Sequence, residues 1–203
     1  MCGMEDTVTL AALPTPLSWA TPPSAWYRMD GGVRIEAGPV TDLFADPGGN
    51  IPALNAPRLQ GPIGPGDFQL STRVTVGFGG TFDAGALIVW AARNHWAKLC
   101  FELSPQGLPM IVSVVTRGRS DDANGFTVDG GSAWLRVSRL GPAYAFHASI
   151  DGLLWHFVRY FDLEGRPAQL GFVAQSPTSD GCAVTFDHLS FRPERLANLR
   201  DGS

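Results

Sequence analysis

Apolar and polar residues alternate with a period of two along most of this chain. The runs are short and rich in Val, Ile, Phe, Trp and Thr, and glycine or proline interrupts them at close intervals. Such alternation puts successive side chains on opposite faces of a strand, so the pattern predicts one half-buried strand after another. The expected strands are Trp26–Met29, Gly32–Ala37, Thr41–Phe44, Asn55–Leu59, Asp67–Val76, Ala84–Ala92, Ala97–Leu103, Pro109–Thr116, Ala133–Leu140, Ala143–Asp151, Leu154–Phe161, Ala168–Ala174 and Cys182–Pro193. A helical period shows only in Glu194–Leu199, which predicts a single turn. Short strands punctuated by turn residues predict an all-β fold, a two-sheet antiparallel β-sandwich.

The joints carry their own chemistry. Asp30-Gly31-Gly32 and Gly130-Gly131 supply positive φ for turns. Asp151-Gly152, between Ser149 and Trp155, predicts a tight type I′ hairpin. Asp46–Gly66, with five prolines and five glycines, predicts a surface excursion. No linker or change of composition divides the chain, so residues 1–203 are expected to form one domain.

Composition narrows the function. The chain has 203 residues, is 44% hydrophobic and 17% charged, and carries a net charge of −4. It can bury a core, and scattered arginines on a mildly acidic chain leave no footprint for nucleic acid. No apolar run reaches the roughly 18 residues that span a membrane. Glu5 and Asp6 stand where a secretory leader carries basic residues, and Val8–Leu13 is short, so no signal peptide is expected. Three cysteines, Cys2, Cys100 and Cys182, form no CxxC and suit a reducing compartment; the expected location is the cytoplasm.

The most informative stretch is His95–Glu102. Ala97, Leu99, Phe101 and Leu103 share one strand face, and Trp96, Lys98, Cys100 and Glu102 share the other. Lys98 is the only lysine among fifteen basic residues, which points to a need for a compact ammonium there. Asp83 opens the preceding strand and Thr116 comes from the next; His147 and Arg159 lie on strands further along. A shallow groove with Trp96 as stacking platform and Lys98, Glu102, Thr116, His147 and Arg159 as hydrogen-bonding groups suits a sugar, which offers C–H faces to rings and hydroxyls to charges. The competing reading is structural: Trp96 packed under a loop, Glu102 and Arg159 in a buried ion pair, His147 satisfied on its own sheet.

Four ordered segments resemble the DUF1349 family. They are Leu17-Ser18-Trp19 with Pro22-Pro23-Ser24-Ala25-Trp26; Asp83–Val89 with Trp96–Glu102; Val114-Val115-Thr116 with Ser120-Asp121; and Ser149–Trp155 with Arg159, Gly171–Pro177 and Phe186. The resemblance spans about residues 17–192. The family usually carries Ser-Asp-Trp where this chain has Ser120-Asp121-Asp122. The resemblance implies a jelly roll of the concanavalin A-like lectin/glucanase class with a curved concave face. It implies no settled activity; one fungal relative is a regulator of enolase. Its segments add Ser120, Asp121 and Gln175 to the expected ligand-binding residues. Two readings follow: a lectin-like module holding a carbohydrate or other polyhydroxylated ligand on the concave face, or a regulatory domain that docks a protein on that face or on Asp46–Gly66.

Catalysis has less support. Glycosidases need two carboxylates flanking the scissile bond. Laminarinase relatives place them as Glu-x-Asp-x-x-Glu, and Glu102 is followed instead by Ser104 and Gln106. Glu102 is the one candidate acid or nucleophile, with Asp83 or Asp121 as its only prospective partners. His95, His147, His156 and His188 show no metal-binding spacing, and no cofactor is expected. Asp121-Asp122-Ala123-Asn124-Gly125 faintly resembles a calcium loop but lacks the alternating ligands and closing Glu of an EF-hand. No base can be assigned to Cys100, and Gly77-Phe78-Gly79-Gly80 opens no predicted helix.

Overall fold

A computed structural model describes residues 7–203. Cys2, Glu5 and Asp6, used above for compartment and leader, lie outside them. The strands, in chain order, are β1 (Thr7–Val8), β2 (Leu17–Thr21), β3 (Ala25–Met29), β4 (Gly32–Ala37), β5 (Leu43–Phe44), β6 (Ala53–Leu54), β7 (Arg58–Pro62), β8 (Phe68–Gly77), β9 (Ala84–Ala92), β10 (His95–Leu103), β11 (Pro109–Arg117), β12 (Arg119–Thr127), β13 (Ser132–Leu140), β14 (Ala143–Ser149), β15 (His156–Asp162), β16 (Gln169–Gln175) and β17 (Cys182–Arg192). Eight form one sheet in the order β1-β2-β7-β16-β9-β10-β11-β12. Seven form the other in the order β15-β14-β13-β8-β17-β4-β3. All named pairings are antiparallel.

The inner faces of both sheets supply the core. Leu87, Val89, Ala97, Leu99, Phe101 and Phe172 meet Val74, Leu135, Phe146, Val184 and Phe186, all buried. Phe172 and Phe186 touch across the sandwich, with ring centroids 4.8 Å apart. At Gly85 the sheets approach so closely that a Cβ would lie 2.4 Å from Val184 Cγ1 and 2.6 Å from Val74 Cγ1, so only glycine fits there.

Four expectations change. Arg119–Thr127, read as a loop with a faint calcium pattern, is strand β12; its polar residues hid it, because most are exposed at the edge of the sheet. Extended backbone points neighbouring side chains to opposite faces, so Asp121 and Asp122 diverge and make no ion cradle. Glu194–Leu199 forms no helix; Leu196 is instead buried against Leu140 and Ala145, with Leu199 packed beside it. β14 and β15 do form a hairpin, but Asp151 does not adopt positive φ, so the turn is not type I′. The Asp151 carboxylate accepts from the backbone N–H groups of Leu153 and Leu154, at 2.8 and 2.9 Å, and holds a wider loop. Finally, Asp46–Gly66 is only partly a surface excursion. Its tip at Ile51 is 95% exposed, yet Ala56 is buried and Arg58–Pro62 is an inner strand of the eight-stranded sheet.

That last change shapes the site. Leu43, Phe44, Leu54 and Ala56 fold back over the outer face of the eight-stranded sheet and pack on Ala84, Ala86, Ile88, Trp96, Cys100, Val112 and Val114. The alternation of β10 is as read, with Ala97, Leu99 and Phe101 in the inter-sheet core. Its other face is covered rather than open.

Candidate functional site

Directly paired residues in a sheet share a face, so the register places the site. Lys98 pairs with Ile88 and Val114; Cys100 pairs with Ala86 and Val112; Glu102 pairs with Ala84, which in turn pairs with Gln175. Ala84 and Ala86 are small, which leaves room for the Lys98 side chain to cross β9. Its Nζ donates to Gln175 Oε1 at 2.6 Å, and Gln175 Nε2 donates to the Phe82 carbonyl at 3.1 Å. The covering segment does not fill the space above these residues. A cavity of about 230 Å³ remains, lined by Lys98, Glu102 and Gln175, by Val112 and Val114, by Asp42 and Phe44 from the covering segment, and by Phe82 and Asp122.

The electrostatics of this cavity are unusual. Lys98 is only 2% exposed, yet it forms no ion pair and makes one hydrogen bond among the described residues. An ammonium carries three donors, so two are left for whatever occupies the cavity. Glu102 is half-buried and also unpaired. Burial pushes its carboxyl up to about 7; Lys98 pulls the other way, and Asp42 and Asp122 add to the rise. Cys100 lies beneath, fully buried, and burial pushes its thiol up to about 12, which removes it as a nucleophile at neutral pH.

Phe82 is held in a strained place. It has φ of +69°, rare for a residue with a side chain, and is 39% exposed on the cavity wall. Its backbone N–H donates to the Leu103 carbonyl at 2.8 Å. The next residue, Asp83, is completely buried. Its carboxylate accepts from the N–H groups of Gly79 and Gly80 at 2.8 and 2.9 Å and from Ser179 Oγ at 2.8 Å. Asp83 therefore anchors the loop that presents Phe82 and does not itself face the cavity.

The other expected residues separate. Trp96 is 0% exposed, stacked on Trp90 with centroids 6.3 Å apart, and offers no platform to a ligand. The Arg58 guanidinium sits 3.8 Å from the Trp90 ring centroid and is itself buried, which pulls its pKa down to about 10. Thr116 and Ser120 are bonded to each other at 2.9 Å. Ser120 also ties down the cover, accepting from the Ala45 N–H through Oγ and donating its own N–H to the Ala45 carbonyl. Asp121 and Arg159 form an ion pair of 2.9 Å at the sandwich edge. Glu102 is therefore not the partner of Arg159. His147 belongs to the other sheet; it is 0% exposed and donates from Nε2 to the Leu199 carbonyl at 2.8 Å. Of the ten expected ligand-binding residues, the structure gathers Lys98, Glu102 and Gln175 around one cavity.

Asp42, Phe44, Phe82 and Asp122 were missed. Phe82 and Asp122 adjoin residues that were chosen, Asp83 and Asp121, so a one-place error of register hid them. Asp42 and Phe44 carry no local signal, because only the fold brings them over β10. Among the described residues no group of three or more His, Cys, Asp or Glu side chains could hold a metal ion, and no helix is long and apolar enough to cross a membrane.

Comparison with known proteins places this architecture. A functionally unknown protein from Saccharomyces cerevisiae superposes with a TM-score of 0.80 at 25% identity, covering 88% of this chain and 96% of that one. The GH43 protein BlXynB from Bacillus licheniformis gives a TM-score of 0.72 at 14% identity, over 88% of this chain but only 37% of the larger protein. The carbohydrate binding module CBM66 from Bacillus subtilis gives 0.57 at 14% identity, over 91% of this chain and 99% of the module. At these identities the last two likenesses show the fold alone, a jelly-roll-like, lectin-like β-sandwich. No curated protein matches the sequence. The family described as "Protein of unknown function (DUF1349)" matches residues 19–194, and the chain belongs to it.

Proposed function

We propose that this protein is a lectin-like binding module that holds a small polyhydroxylated ligand, of the size of one sugar, in the cavity between β10–β11 and the covering segment. The observation that carries this reading is Lys98: a buried ammonium facing a cavity with two donors unused and no carboxylate in ion-pair contact. Leaving such a group without partners is costly, so the fold is stocked for a ligand that supplies acceptors. Glu102, unpaired and able to hold or release a proton near neutral pH, complements hydroxyls that both donate and accept. Phe82 and Phe44 offer ring faces to C–H surfaces, the part first assigned to Trp96. At about 230 Å³ the space is below the roughly 300–1,000 Å³ of drug-sized pockets and admits one compact ligand. The likeness to a carbohydrate binding module is consistent with this use of the fold.

The test is a glycan array and monosaccharide titration of the wild-type protein beside Lys98→Met and Glu102→Gln. Selective retention that falls at least tenfold in both variants is expected. Failure of the wild type to bind any sugar at millimolar concentration overturns the reading.

A further inference from the structure

Charge decides which sugar-like ligand suits the cavity. Three carboxylates, Asp42, Glu102 and Asp122, line it against a single ammonium, Lys98. None of the four is in an ion pair among the described residues. Among the other acids, Glu36 pairs with Arg34, Asp187 with Arg73, Asp121 with Arg159 and Asp67 with Arg195, while Asp83 and Asp151 accept from backbone N–H groups. The cavity thus holds an excess of negative charge that the protein does not neutralise, beside the apolar side chains of Phe44, Phe82, Val112 and Val114.

We propose that the ligand carries an ammonium group as well as hydroxyls, so that the cavity selects amino sugars over neutral sugars and excludes uronic acids. This rests on the polyol reading above and adds the charge of the ligand to it. Lys98 with Gln175 takes hydroxyls, since an ammonium on the ligand would be repelled there. Glu102, Asp42 and Asp122 are the groups left to take the ligand's ammonium. Asp42 Oδ1 accepts from the Leu43 N–H at 2.7 Å, and Oδ2 has no hydrogen bond among the described residues. Phe44 and Phe82 line the same cavity, and aromatic rings attract cations through their faces. A uronate would meet three acids for one lysine. Burial first, and then repulsion from Asp42 and Asp122, raises the Glu102 carboxyl against the pull of Lys98, so a bound ammonium is expected to draw that proton off.

The experiment is calorimetric titration of the full-length protein with matched pairs: glucose and glucosamine, galactose and galactosamine, mannose and mannosamine. N-acetylglucosamine, glucuronate and ethanolamine serve as further probes. The expected result is that in at least one pair the amine binds ten times or more tighter than the neutral sugar at pH 7. Acetylation should remove that gain, glucuronate should bind more weakly than glucose, and ethanolamine alone should not bind. Binding of the amine, but not of the neutral sugar, should release protons, read by repeating the titration in buffers of different ionisation enthalpy. Asp42→Asn with Asp122→Asn should cost the amine at least tenfold more than its neutral partner; Asp122→Asn alone, at an exposed site, guards against a folding defect in the pair. Neutral sugars binding as tightly as amines would overturn this inference and leave the polyol reading standing. Ethanolamine binding as tightly as glucosamine would reduce the site to a cation trap and overturn both. Absence of binding by every probe would also overturn both.

Discussion

The outer faces of the two sheets carry polar clusters that look alike in the sequence and behave differently in the structure. On the seven-stranded sheet, Arg136, Ser138 and His147 are buried beneath the segment Leu196–Gly202. That segment packs down on them: the Gly202 carbonyl accepts from Arg136 Nη2 and the Leu199 carbonyl from His147 Nε2, while Arg136 Nε, Ser138 Oγ and His147 Nδ1 stay buried without a hydrogen-bond partner among the described residues. On the eight-stranded sheet the cover is Asp42–Ala56, and it places Asp42 and Phe44 beside a cavity instead of carbonyls against the charges. A polar residue at an inward parity is therefore not a site by itself. What separates a fastening from a site is whether the cover closes down on the polar groups or leaves room over them.

The largest expected effect distinguishes packing from binding on one strand face. Trp96→Ala should lose about 3–5 kcal/mol in urea unfolding, because it empties a fully buried ring position. Lys98→Met, two residues on, should leave stability unchanged or raise it while abolishing ligand retention, since it removes a buried charge without an ion-pair partner. Equal destabilisation by both would make the cavity an accident of packing.

On the other sheet the ranking reverses. Arg136→Met should cost about 2 kcal/mol, the scale of a charge-assisted hydrogen bond, and should speed amide exchange at Gly202. Sugar retention should stay at the wild-type level; a loss would mean that the two faces are coupled.

Acid titration should separate the faces by sign. Glu102 has its carboxyl raised from 4.5 to about 7, so the folded state holds that proton more tightly than the unfolded chain. Its contribution is present below about pH 4.5 and is lost as pH rises through 7, so Glu102→Gln should gain on the wild type across that window, by about 1–2 kcal/mol at pH 8. His147 is lowered from 6.5 to about 4, chiefly by burial. Its contribution is present above pH 6.5 and is lost as pH falls through 4, and His147→Asn should lose that acid sensitivity. Thermal melts from pH 4 to 8 would show two opposed slopes, one removed by each variant.

The smallest effect concerns the cover itself. Ser120→Ala removes the hydroxyl that accepts from Ala45 and bonds Thr116, and should cost about 1 kcal/mol. A concurrent weakening of ligand binding would show that the position of Asp42 and Phe44 depends on that fastening.

The period-two pattern carried most of the strands and the parity of β10, because alternation is a local consequence of strand geometry. β12 escaped because an exposed edge needs no apolar face and β2 because it is short, while the strand expected at Asn55–Leu59 lies at Arg58–Pro62, since the surrounding glycine and proline blur its ends. Lys98 and Glu102 were legible from the parity of β10, and Gln175 only through the family resemblance. The placement of Trp96, His147, Asp121 and Arg159 was not, since each depends on which segment lies over it.

Sequence by itself determined the fold class, the inner faces and the position of the one lysine on the outer face of β10, since side-chain alternation is fixed locally by strand geometry. Only the tertiary structure decided that Asp42–Ala56 closes over that lysine while Leu196–Gly202 seals the opposite sheet. Those choices are made by contacts between residues far apart in the chain, such as Ser120 with Ala45 and Lys98 with Gln175, and no local pattern encodes them.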